Sequence, residues 1–231
     1  MDPPSVTELL AGLQRDHENG HSPAFRLCRA CVDLVAVGGA GIVLMDDDGN
    51  GSSVGLSDDV TGIVEDLQFT LGEGPAIDAH ARGRPVLEPQ LDAPVDSRWP
   101  AFAPAAVTAG FLSAFGFPLR VGAIRLGALD LYQDQPGDLD RTQLVDAIAM
   151  ADIVTHAVIA VQSSAGPGWV VDDTDDADLR VQVHQASGMI SRQLEIGIGD
   201  ALVRLRAHAY AEGRPINDLA LDVVERRLRF D

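Results

Sequence analysis

"FLSAFGFPLRVGAIRLGALDLYQ" (residues 111–133) decides the architecture. Apolar residues run along both halves, and Val121-Gly122-Ala123 breaks the run with a turn signal. Strands are therefore predicted over 111–120 and 124–133. Outward on the N-terminal side, "AGIVLMDDDGNG" (40–51) reads as a strand entering a tight turn, with "SSVGLS" (52–57) as its hairpin partner. Helices are predicted at 24–35, where Phe25, Leu27/Cys28, Cys31 and Leu34/Val35 share one side, and at 58–71. "GEGPAIDAHARGRPV" (72–86) gives a turn, a short helix and a strand start, and "WPAFAPAAVTA" (99–109) a further short helix.

On the C-terminal side a helix is predicted over 138–162. Its residues Leu144, Ala147, Ala151, Val154, Val158 and Val161 form a heptad seam, and Ile148, Ile153 and Ile159 widen the apolar arc. One face can cover the sheet while the seam meets a second copy, so a homodimer is expected. "SSAGPGWVVDDTDDAD" (163–178) has the composition of a linker. Three helices follow, at 179–195, 198–212 and 217–229, with Gly197/Asp200 and Asn217 as start signals. In the first, Val183, Ala186/Ser187, Ile190 and Leu194 make the core stripe, and Gly188 interrupts the outer face. A mid-helix glycine costs roughly 1 kcal/mol relative to alanine, so a close approach to Gly188 is expected.

The chain has 231 residues and a net charge of −18, and all 17 basic residues are arginine. Without lysine there is no phosphate-binding P-loop, no Schiff-base chemistry and no conventional receiver domain. The two cysteines are too few for a disulfide scaffold. No apolar run is read as long enough for a bilayer and the N-terminus has no leader pattern, so a cytoplasmic protein is expected. The charge is uneven: residues 179–231 hold 8 Arg against 7 acidic residues, so the acidity lies almost wholly upstream.

Chemistry-bearing motifs are few. "DDDGNG" (46–51) begins like a calcium loop, but Ser57 stands where the bidentate acid belongs, and a solvated turn is the better reading. Cys28 and Cys31 with His17 and His21 could compose a zinc set, yet the cysteines lie on an apolar stripe; no metal and no cofactor are expected. No paired acids and no Ser/His/Asp arrangement stand out, so no catalytic residue is assigned and a non-enzyme is expected. In the tail's second helix Ala201, Leu202, Leu205 and Ala209 form the core side. Val203, Ala207, Tyr210 and Ala211 point outward, flanked by Arg204 and Arg206. Leu219, Ala220, Val223 and Val224 are the core of the third helix, with Arg226, Arg227 and Arg229 near its end. A small, partly aromatic face edged by guanidinium groups fits another helix, and it fits an RNA loop.

Residues 179–231, through "QASGM", "ALVRLRAHAYAEGRPI" and "DLALDVVERRL", closely resemble an ANTAR domain, the three-helix RNA-binding module of transcription antitermination regulators. Residues 24–163, through "GAGIVLM", "LGEGPAIDA", "RWPAFAPAA" and "GALDLY", resemble the GAF domain that precedes it in actinobacterial regulators. The resemblance implies an α+β chain: an N-terminal segment (1–23), a GAF-like antiparallel sheet flanked by helices (24–163), a linker (164–178) and an ANTAR bundle (179–231). It places Ala186, Gly188, Ala201, Leu205, Arg206 and Ala209 on the family's recurrent positions. It departs at Ser187, where many relatives carry lysine, and at Ala76, where many carry cysteine. The implied function is binding of paired stem-loops in nascent RNA by a dimer, under control of a small molecule or partner at the GAF domain. Candidate RNA-contacting residues are Gln185, Ser187, Gly188, Arg192, Arg204, Arg206 and Tyr210. Trp99, Phe115, Phe117 and Tyr132 are candidates for a ligand pocket. The alternative is a signalling or dimerisation module whose tail binds protein.

Overall fold

The computed structural model describes residues 22–46, 51–93, 98–163 and 175–231, with side chains described up to residue 160 and again from 182. His17, His21, the calcium-like loop beyond Asp46, the Val161 side chain and the linker body at 164–174 lie outside the described residues. The chain divides into two compact units, a larger one of residues 1–69 and 73–172 and a smaller one of residues 70–72 and 173–231.

In the larger unit, helix α1 (Pro23–Val35) starts where the Ser22 hydroxyl accepts from Phe25 N–H and stops where Ala36 turns left-handed. Strands β1 (Gly39–Met45), β2 (Gly51–Leu56), β3 (Val86–Glu88), β4 (Ser113–Val121) and β5 (Ile124–Gln133) form one sheet in the order β2-β1-β5-β4-β3. Each pairing is antiparallel. The hairpin from the opening stretch is β4–β5, with Gly122 at φ 59° in its turn. Helices α2 (Asp59–Leu71), α3 (Pro75–Arg82), α4 (Phe102–Thr108) and α5 (Arg141–Ser163) complete the unit.

Strand alternation sends two different populations to the two sheet faces. Ala40 and Ile42, Phe115, Phe117 and Leu119, and Leu129 and Leu131 join Leu27, Cys28, Cys31 and Val35 of α1 and the inner side of α5 in one apolar core. The opposite face carries Gly39 and Gly41, Asp130 and Tyr132, and α2 lies on it. A Cβ at Gly41 would collide with the Glu65 carboxylate, and one at Gly39 with the Thr61 hydroxyl. The glycines of "GAGIVLM" therefore let polar groups of α2 approach the strand closely.

Several expectations change. Ala147, Ala151, Val154 and Val158 of the heptad seam are 0–7% exposed within this protomer's own core, so the seam is not a partner surface. The seam exceeded what one sheet needs because α5 covers both the sheet and α1. Among the described residues of α5, the exposed large apolar side chains are Val145 and Ile148. That double contact also makes Arg141–Ala160 long and apolar enough to cross a bilayer by length and composition, contrary to the sequence reading. The two cysteines sit inside the core, and burial pushes the Cys31 thiol up to about 12 and the Cys28 thiol well above its ordinary value.

The smaller unit is three helices, α6 (Asp175–Leu194), α7 (Ile198–Glu212) and α8 (Ile216–Val224). Helix α6 begins at Asp175, inside the segment expected to be linker. Pro215, not Asn217, is the N-cap of α8, because proline's fixed φ and missing N–H suit a helix start. Helix α8 ends at Val224 rather than 229: Arg226 adopts φ 62°, and the N–H groups of Arg227 and Leu228 turn back to the Asp222 carbonyl. Val183, Ala186, Ile190, Ala201, Leu202, Leu205, Ala209, Ile216, Leu219, Ala220 and Val223 form the buried interior.

Met150→Ala, at a site with no exposure, should cost about 2–5 kcal/mol. Ile148→Ser, half-exposed on the same helix, should change stability by no more than about 0.5 kcal/mol. Urea unfolding of both variants at low protein concentration measures the contrast.

Candidate functional site

The larger unit assembles a buried polar cluster from α2 and β5. Gln68 Nε2 donates to Asp130 Oδ2 and to Tyr132 Oη, each at 2.7 Å, and lies 3.3 Å from Glu65 Oε2. Tyr132 in turn donates to Glu65 Oε1 at 3.0 Å. The four side chains are at most 2% exposed, and Asp130 Oδ1 has no hydrogen-bond partner. Burial first, and the Glu65 charge second, raise the Asp130 carboxyl well above the usual carboxylate range, against the lowering effect of Gln68. Two carboxyls in so dry a space do not both ionise, so the cluster retains a proton. Sequence reading missed this pair. Glu65 and Asp130 lie 65 positions apart, and each reads alone as a polar residue on an exposed edge.

The same cluster reaches the "LGEGPAIDA" turn. Gln68 Oε1 accepts from Ala76 N–H at 3.0 Å, in the first turn of α3. Next to it, the Glu73 carboxylate accepts from the backbone N–H groups of Ala101 and Phe102 at 2.9 and 3.1 Å. Helix α4 has no side-chain cap of its own, so Glu73 caps it from a remote loop. The "LGEGPAIDA" and "RWPAFAPAA" motifs are thus joined by hydrogen bonds. Ala76 packs with Val43, Met45 and Ala128, and it offers no reactive group.

The four aromatic residues expected to line one pocket do not meet in one. Phe115 and Phe117 belong to the core under α1 and α5, while Tyr132 points to the opposite face and stacks on Phe111 at 5.1 Å. Trp99 lies edge-on to Phe102 at 5.7 Å. All four are 0–3% exposed. Alternation along a strand separates residues of opposite parity, and a sequence list of aromatics conceals that. Phe117 alone of the four borders an open groove of about 730 Å³, with Arg84, Arg120, Val145, Ile148 and Asp152 around it.

In the smaller unit the candidate RNA residues separate. Ser187 is 1% exposed and its hydroxyl donates to the Val183 carbonyl at 2.8 Å, so it faces the interior. Arg206 is half-buried, and burial pushes its guanidinium down to about 10. Gln185, Arg192, Arg204 and Tyr210 are exposed, Tyr210 at 75%. Gly188 is half-buried, and a Cβ built on it would meet nothing within 4 Å. No part of the described chain makes the close approach expected there.

The remaining tail arginines divide by partner. Asp222 binds Arg214 and Arg227, each at 2.7 Å, and these bonds, Arg214's first, hold its carboxyl below the usual range. Arg227 also pairs with Glu225. Among the described residues, Arg192, Arg204, Arg226 and Arg229 have no ion pair. Three of these four converge: Arg192, Arg226 and Arg229 line a groove of about 550 Å³ with Gln185, Gly188, Met189 and Gln193. Arg226 and Arg229 were expected on a helix. They lie instead on a C-terminal hook, held where Phe230 N–H donates to Gln193 Oε1 at 2.9 Å and the Phe230 ring meets His208 at 5.1 Å.

No protein-family model and no curated protein matches this chain. Among solved structures it is similar to the GAF domain of a phosphoenolpyruvate-protein phosphotransferase from Acinetobacter, at 13% identity over 70% of this chain and 98% of that one (TM-score 0.48). It is similar to the corresponding domain from Coxiella burnetii, at 13% identity over 69% and 95% (TM-score 0.49). A third is the second GAF domain of DevS from Mycobacterium smegmatis, at 16% identity over 61% and 94% (TM-score 0.44).

Asp130 releases its proton near 3.8 when unfolded but keeps it to higher pH when folded. Its contribution to stability is therefore complete below about 3.8 and is lost as pH rises toward the folded value. Asp130→Asn should gain stability over the parent as pH rises from 4 upward, and thermal melts across that range read the divergence. Gly188→Ala, with open space for its methyl, should stabilise the smaller unit by about 1 kcal/mol; a loss in urea unfolding would mean that the space is occupied.

Proposed function

We propose that the chain is a non-enzymatic, RNA-binding regulator of transcription antitermination. In this reading the larger unit is a GAF sensory domain and the smaller unit an ANTAR domain that binds stem-loops of nascent RNA. The observation that carries it is the set of unpaired arginines on the smaller unit. In a chain of net charge −18, Arg192, Arg204, Arg226 and Arg229 stand exposed and have no acidic partner among the described residues. Guanidinium forks match phosphate oxygens, and an exposed tyrosine supplies a stacking plane for an unpaired base. Few cations on an acidic chain give structure-selective binding rather than general attachment to nucleic acid.

Support for the sensory half comes from the way "GAGIVLM", "LGEGPAIDA", "RWPAFAPAA" and "GALDLY" are tied together around the Glu65–Gln68–Asp130–Tyr132 cluster and the Glu73 cap. A small molecule or partner acting on this unit is the proposed signal, and the protein is proposed to work in the cytoplasm, where transcripts are made. Two copies would present two tails to paired stem-loops, and the exposed Val145 and Ile148 on α5 offer apolar surface for such a dimer. The protein-binding alternative draws on Ile198 and Val203, which are 56% and 59% exposed on α7.

Anisotropy titration of the full chain with a labelled two-hairpin RNA tests the reading. Tyr210→Ala should weaken binding by about 1–3 kcal/mol while circular dichroism stays unchanged. Arg204→Ala should weaken binding and make its salt dependence shallower. If neither substitution alters an affinity that the parent displays, the α7 face is not the RNA surface.

A further inference from the structure

We infer that the groove between α6 and the C-terminal hook seats one unstacked nucleotide of an RNA loop, with its flanking phosphates on Arg192, Arg226 and Arg229. This rests on the RNA-binding reading above and gives it a second contact site, built from residues other than Arg204 and Tyr210. Three guanidinium groups from two chain segments border one space, and among the described residues none of them has an ion pair and no acidic residue lines it. Its volume of about 550 Å³ lies within the roughly 300–1,000 Å³ typical of small-molecule sites. That is room for a nucleotide and not for a duplex.

The lining chemistry is that of base recognition. Gln185 and Gln193 bring amide donors and acceptors for a base edge; Gln193 spends its oxygen on Phe230 N–H and keeps its Nε2 hydrogens available. Met189 supplies a polarizable apolar wall. Gly188 adds no side chain to the lining, and a Cβ there would meet nothing within 4 Å in the described chain. Arg226 is held at φ 62°, a left-handed conformation that a non-glycine residue adopts only when its surroundings enforce it. Here the enforcing contacts are the Arg227 and Leu228 N–H bonds to the Asp222 carbonyl, which fold Arg226 and Arg229 back toward α6. Sequence-specific RNA recognition targets unpaired, splayed nucleotides, and this site has the dimensions and donors for one.

The test uses the full chain and a pool of two-hairpin RNAs with randomised loops, enriched on the parent protein. Affinity is then measured against salt for the enriched RNA and for the same stems closed without loops. Arg192→Ala and Arg229→Ala should each weaken the looped RNA about tenfold and reduce the salt slope by about 0.7. Gly188→Leu should weaken it at least as much while thermal stability is not lowered, because the side chain fills only the groove. Unchanged affinity in all three variants, beside a loss in Tyr210→Ala, overturns the groove and leaves the RNA reading standing. Equal losses on the loop-free stems overturn the nucleotide seat in favour of a duplex contact. If the parent enriches no RNA yet binds polyglutamate, both this inference and the RNA reading fall.

Discussion

The larger unit depends on how closely α2 can approach β1. Gly39 and Gly41 leave the first half of the strand without side chains on that face, and the space is taken by the Thr61 hydroxyl and the Glu65 carboxylate. A carboxylate carried into the interior demands partners, since an unpaired buried charge is costly. Tyr132 and Gln68 supply hydrogen bonds, and Asp130 shares the problem by keeping its proton. Because Gln68 also bonds the start of α3, the position of the "GEGP" turn follows from the same contact. Glu73 in that turn then caps α4. One small-residue face thus sets two helices and a loop.

The two faces of the sheet solve different problems. Under α1 and α5 the sheet is covered by aliphatic and aromatic side chains, with both cysteines kept as buried thiols. The other face holds a buried polar network of Glu65, Gln68, Asp130 and Tyr132. With Asp130 held above the usual carboxylate range by burial and by Glu65, this face carries a titratable group that the apolar face lacks.

In the smaller unit the disposition of arginine matters more than its number. Asp222 binds Arg214 and Arg227 and fixes the chain reversal after α8, leaving Arg226 and Arg229 to turn toward α6. Arg206 is partly withdrawn into the interior and Arg192 remains on the surface. A net charge near zero for this segment therefore conceals a local surplus of guanidinium groups with no ion pair among the described residues.

The sequence by itself determined which segments become helix and strand, because period-2 and period-3.6 patterns and turn residues report local geometry. It separated the acidic body from the arginine-bearing tail, and it placed Gly188, Arg192, Arg204 and Tyr210 away from the core stripes of their helices. Periodicity put Ser187 in the core stripe, where it is buried with its hydroxyl on the preceding turn, and that burial removes it from the RNA contacts for which it was also a candidate. It misjudged the α5 seam, because apolar width on a helix does not say whether a second helix of the same chain or another copy covers it. Tertiary structure alone decided that Phe115 and Tyr132 lie on opposite faces, that Glu65 meets Asp130, and that Arg226 and Arg229 join Arg192 around one groove. Each of those outcomes depends on which distant segment packs where, and pattern along a single segment carries no record of its neighbour across the fold.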